Sequence, residues 1–129
     1  MKRNLFILLI VVLLAGALPI SALAEDITID IKPDDEDNIL TVNRKSALPV
    51  AIYTGGGLVD ITTVTLNGVP VVSYYEKLDY LLVKFDAQAV LATLGTVYDG
   101  DVIYLTLEGE MDGEEFTATD FVTIRARGH

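Results

Sequence analysis

From Ile27 onward apolar and polar residues alternate at period two in short runs separated by turn signals, the pattern of strands with one buried face. Ile27, Ile29 and Ile31 are expected to face one way and Thr28 and Asp30 the other. Leu48, Val50 and Ile52 form a second apolar stripe, Leu81, Val83 and Phe85 a third, and Ile103, Leu105 and Leu107 a fourth. Val64 and Leu66 run into Asn67-Gly68, after which Val69 and Val71 return. Asn-Gly between alternating strands predicts a tight hairpin, because both central residues must take positive φ. Pro70 has no N–H to give, so the return strand is expected at a sheet edge. Asp112-Gly113 predicts a second two-residue turn, pairing Met111 with Glu114, Glu110 with Glu115 and Gly109 with Phe116. Phe116 would then cover Gly109 on the core face, while Glu110 and Glu115 would oppose each other on the outer one.

One segment departs from this period. Ala87, Val90, Leu91 and Leu94 recur at helical spacing between Asp86 and Gly95, which predicts an N-cap, two helical turns over Ala87 to Leu94 and a glycine stop. Seven or eight short strands and one short helix predict an all-β domain, specifically an antiparallel sandwich of immunoglobulin-like architecture. No linker, internal repeat or low-complexity stretch divides it.

The first residues follow a different logic. Lys2 and Arg3 precede an apolar run from Leu5 to Leu18, then Pro19, Ser21 and Ala22-Leu23-Ala24, with Glu25 and Asp26 directly after. A charged start, an apolar stretch and a small-x-small site in that order predict a secretory signal helix over 1–24, cleaved after Ala24, with Ala22 and Ala24 in the peptidase subsites. The competing reading is an uncleaved anchor, since Leu5 to Ala24 is about as long as a membrane helix. Pro19, the Ala-x-Ala site and the acidic start at Glu25 favour cleavage. The domain proper is then 25–129, secreted, periplasmic or at the cell surface, and no longer attached to the membrane.

Charge and residue inventory narrow the function. The chain carries 9 basic and 19 acidic residues, a net charge of −10 that becomes −12 once Lys2 and Arg3 leave with the signal. Such a chain repels nucleic acid and anionic headgroups. There is no cysteine, so no disulfide staples an exported fold. The one histidine, His129, is the last residue, and no Ser-His-Asp or Cys-His constellation can be assembled. A carboxylate pair could serve a glycosidase, but nothing converges on a catalytic constellation. The expectation is a protein that is not an enzyme and needs no cofactor.

Several phrases, in order, resemble a domain that recurs in secreted and cell-surface proteins of bacteria and archaea and opens with IDIKPGS followed by an IPVAIL strand. The counterparts are IDIKPDDEDN from Ile29 to Asn38, LPVAIYT from Leu48 to Thr54, VDITTVTLNG from Val59 to Gly68, LLVKFD from Leu81 to Asp86, and the stretch from Gly100 to Asp120. The resemblance implies an extracellular β-sandwich module without catalytic activity. Many such domains carry an Asp-x-Asn-x-Asp-Gly calcium loop before the LLVKFD-like strand. Here Val72 to Tyr80 supplies only Glu76 and Asp79, so that site does not carry over.

Two groups of residues remain as candidate sites. Asp34, Asp35 and Asp37, with Glu36 and Asn38 between and after them, are the densest source of the oxygen ligands calcium takes. They lack the glycine such loops use to turn, and a solvated acidic loop is the plainer reading. Tyr74, Tyr75 and Tyr80 could stack on sugar rings or anchor a protein partner, against the plainer reading that they cover a sheet. The expected function is an exported module for surface assembly or adhesion, with a carbohydrate-binding module using the tyrosines as the alternative. The partner is a protein or glycan of the cell surface.

Overall fold

The computed structural model describes residues 27–126. The signal segment with Ala22 and Ala24, and His129, lie outside these residues. Eight strands and one helix follow in the order β1 (Thr28–Ile31), β2 (Ile39–Thr41), β3 (Leu48–Tyr53), β4 (Val59–Leu66), β5 (Val69–Glu76), β6 (Leu81–Phe85), α1 (Ala87–Ala92), β7 (Val102–Met111) and β8 (Glu114–Arg125). The fold is all-β. The strands hydrogen-bond in the spatial order β1-β3-β6-β5-β4-β7-β8-β2, and the sheet curls so that one face closes around the core.

The sequence stripes supply that core. Ile29 and Ile31, Leu48, Val50 and Ile52, Val64 and Leu66, Val83 and Phe85, and Leu105 and Leu107 are all buried. Val122 and Ile124 enter from β8, Leu40 from β2, and Ala87 and Val90 from α1. Leu81 and Ile103 are only half-buried because they sit near the open ends of their strands.

Both tight turns take the expected form. Asn67 and Gly68 have φ of 50° and 84°, and Asp112 and Gly113 have 54° and 83°, as a type I′ turn requires. The second hairpin has the expected register, with Gly109 opposite Phe116 and Glu110 opposite Glu115. The helix is two residues shorter than its spacing suggests, with Thr93 as C-cap. Asp86 Oδ1 caps it by accepting from the backbone N–H groups of Gln88 and Ala89 at 2.9 and 3.3 Å, and Gly95, at φ 71°, lets the chain leave.

The structure corrects two expectations. The sheet is mixed, not antiparallel throughout, because β2 runs parallel to β8, with Ile39 opposite Thr123 and Thr41 opposite Arg125. Parallel neighbours need a long connection, and everything between residues 41 and 114 provides it. Asn38 fixes the start of β2: its Nδ2 donates to the Phe121 carbonyl at 2.7 Å, and Thr123 N donates to its carbonyl at 2.9 Å.

The second correction concerns Pro70. Its strand lies inside the order, between β4 and β6. The proline is tolerated because β5 changes partner along its length. Val69 and Pro70 pair with β4, and pairing with β6 begins only at Val71. Pro70 therefore has one neighbour strand, as an edge residue would. A register shift at Val72, between Val71 and Ser73, marks the point where β5 turns from one arm of the sheet to the other, as a bulge does.

Candidate functional site

The bulge at Val72 decides which tyrosine faces where. An unbroken alternation from Val69 and Val71 would place Ser73 and Tyr75 on the core face. The extra residue shifts the phase, so Tyr74 lies opposite the inward Val83 and Tyr75 opposite the outward Leu82. Tyr74 and Tyr75 are thereby parted, and Tyr80 borders both of the clefts they flank. Tyr75, 53% exposed, stands on the outer face of the β3-β6-β5 arm. Tyr80 joins that face from the β5–β6 turn, its ring 5.4 Å from that of Tyr53 on β3. Tyr74 lines a different cleft, of about 480 Å³, with Leu58, Ile61 and Leu78, where β4 and the end of β5 separate.

Beside Tyr75 the outer face holds an open groove of about 480 Å³. Pro49 and Leu82 contribute from β3 and β6, and the walls come from three separate loops carrying Lys32, Arg44 and Lys77, with Lys84 rising from β6. Four of the six basic residues between 27 and 126 thus meet in one place, in a chain whose net charge is −10.

Each wall is fixed by contacts that the sequence allows. Lys32, at φ 52°, reverses the chain after β1, and its N–H donates to the Pro49 carbonyl at 2.8 Å. The loop bearing Arg44 is held from below by α1, since Gln88 Nε2 donates to the carbonyls of Val42 and Arg44 at 3.0 and 2.8 Å. Arg44 in turn donates from Nη2 to the Ala47 carbonyl at 2.7 Å and from Nε to that of Ser46 at 3.2 Å. The β5–β6 turn closes with Lys77 N donating to the Tyr80 carbonyl at 2.9 Å.

The cations differ in how far they are neutralised. Lys32 Nζ lies 3.2 Å from the Asp35 carboxylate and also donates to the Ile39 carbonyl. Lys77 and Lys84 form no ion pair among the described residues. Their ammonium groups lie 5.9 and 5.2 Å from the centre of the Tyr75 ring, an arrangement worth about 0.5–1 kcal/mol per cation at an exposed site.

The acidic candidates act as a folded turn. Asp35 accepts the Ile39 N–H at 2.9 Å and the Asp37 N–H at 3.0 Å. These bonds, led by that to Ile39 and joined by Lys32, hold its carboxyl below the ordinary carboxylate value. Asp34 and Asp37 are exposed. Across the sheet, burial raises the pKa of Asp30, and the charges of Asp120 and Asp34 add to it. Tyr53 is raised too, first by burial and then by Asp30. No three carboxylates or imidazoles converge as a cation cage among the described residues.

What the sequence reading missed is the basic convergence, since Lys32, Arg44, Lys77 and Lys84 are far apart in the chain. A partial signal was present. A hairpin drawn through Tyr75, Lys77, Leu82 and Lys84 already places all four on one face. No family model matches the chain, and no curated protein matches it.

Proposed function

We propose that this chain is an exported, non-enzymatic module that binds a cell-surface partner through the outer face of its β3-β6-β5 arm. The observation that carries the reading is the gathering of Tyr75, Tyr80 and four cations on one face of an otherwise acidic domain. Exposed aromatic rings beside charged side chains favour partner contact, because they offer large area at small entropic cost. The secretory pattern of residues 1–24 and the resemblance to extracellular IDIKPGS-type domains support the location.

We read the curled sheet as an immunoglobulin-like sandwich. One layer is β1-β3-β6-β5, the other β4-β7-β8-β2, and β5 turns the corner between them. The shared core of the two arms supports this reading. Role and location are tested together. The protein should be recovered outside the cytoplasmic membrane with Glu25 as its first residue, and should sediment with cell envelopes from the organism that makes it. Tyr75→Ser should reduce that sedimentation. A cytoplasmic protein that begins at Met1 and ignores envelopes would overturn the proposal.

Of the two partner classes, a glycan is favoured over a protein surface. The groove beside Tyr75 is a small concavity within the range of small-ligand sites, about 300–1,000 Å³, whereas protein partners use broader patches.

A further inference from the structure

The charges around Tyr75 point to the ligand's chemistry. Lys77 and Lys84 share one ring and have no carboxylate within ion-pair distance among the described residues. A ligand carboxylate within reach of either ammonium gains an attraction that no protein carboxylate supplies. The other two cations are already engaged, Lys32 by Asp35 and Arg44 by two carbonyls. Two of the three cations without an ion pair, Lys77 and Lys84, therefore stand at the Tyr75 end of the groove, with Arg44 and the exposed Asp34 elsewhere on the wall.

The surrounding field restricts the size of the anion. With a net charge of −10, the molecule repels a long polyanion far more than a short oligosaccharide carrying a few carboxylates. Screening over about 8–10 Å leaves a small ligand to feel chiefly the nearest lysines. Apolar side chains of Pro49 and Leu82, with the Tyr80 ring, present a surface suited to the C–H face of a pyranose.

Building on the proposed role of this face, we infer that the groove binds a carboxylated sugar of the uronic acid class. Lys77 and Lys84 hold the carboxylate, and Leu82 and Tyr80 support the ring. A glutamate-rich peptide would bring the same group on a flexible backbone, without a ring to lie on Leu82 and Tyr80.

The test is calorimetric titration of the protein purified from the cells that make it. The probes are trimers of galacturonate, glucuronate and mannuronate, the methyl esters of the same trimers, and a glutamate-rich peptide of equal charge. Saturable binding is expected for at least one acid trimer, at least tenfold weaker for its ester and for the peptide. Lys84→Glu and Lys77→Glu should each weaken it tenfold or more while circular dichroism stays unchanged and Tm falls by no more than a few degrees. Failure of every acid trimer overturns the inference, and so does an ester that binds as well as its acid. Equal or tighter binding of the peptide overturns it in favour of a protein partner. Envelope binding that persists through any of these results leaves the broader function standing.

Discussion

Gly109 and Phe116 face each other across the β7–β8 ladder, and a methyl group on Gly109 would lie 3.2 Å from the Phe116 ring and 3.0 Å from Val64 Cγ2. Both neighbours are buried and have little room to move. Gly109→Ala should therefore destabilise the domain by about 1–3 kcal/mol through overpacking, despite alanine's smaller loss of backbone entropy. Urea denaturation measures it, and an unchanged midpoint would mean that the ring swings away freely.

Phe85 is the largest fully buried side chain, at the point where β5 and β3 both pair with β6. Phe85→Ala should cost about 3–5 kcal/mol, read from the same denaturation curve. Tyr104→Ala, whose ring is mostly exposed and lies against that of Phe121, should cost far less.

Asp120 joins the two ends of the fold. Its Oδ2 accepts from Ile31 N at 2.9 Å and from Asn38 Nδ2 at 3.3 Å. Asp120→Ala leaves these part-buried donors without that acceptor and should destabilise by about 1–3 kcal/mol. Hydrogen exchange at the Ile31 amide should accelerate more than exchange in β7, and a uniform change would argue against a local role.

Two carboxylates should give opposite dependences on pH. Asp30 is raised above the ordinary 3.8 by burial first and by Asp120 and Asp34 next. Its contribution to stability is present below 3.8 and is lost as pH rises through its folded value. Asp30→Asn should thus raise Tm at pH 7, with the gain vanishing in acid. Asp35 is lowered below 3.8, chiefly by the Ile39 N–H, so its contribution is present above 3.8 and lost as pH falls through its folded value. Asp35→Asn should lower Tm at pH 7, and the loss should likewise disappear in acid. Thermal melts of both variants from pH 2 to 7 decide it.

Glu110 and Glu115 are register partners, and the whole chain carries net charge −10. Sodium chloride should raise Tm modestly by screening this repulsion. Calcium at equal ionic strength should add little, since Asp35 already spends its oxygens on Lys32 and two backbone N–H groups. A saturable rise in Tm with micromolar calcium would reveal a cation site.

Local chemistry was readable from the chain because it depends on near neighbours. Asn67-Gly68, Asp112-Gly113 and Asp86 with Gly95 announced two turns and a helix, and period two announced the core stripes. Two features were hidden for definite reasons. The bulge at Val72 inserts one residue and reverses the facing of everything after it, so Tyr74 and Tyr75 could not be assigned from Val69 and Val71. The pairing of β2 with β8 joins segments more than eighty residues apart, and no local pattern encodes it. The basic groove fails for the second reason, being assembled from three loops and a strand.

The pairing of β2 with β8 also sets the order of events in synthesis. Ribosomes release the chain from its N-terminus, so Ile39 to Thr41 emerge long before Thr123 to Arg125, their hydrogen-bonding partners. The Ile31 amide waits in the same way for Asp120, 89 residues later. Contacts of such sequence separation form slowly. The first strands must therefore remain unpaired on that side until almost the whole chain exists.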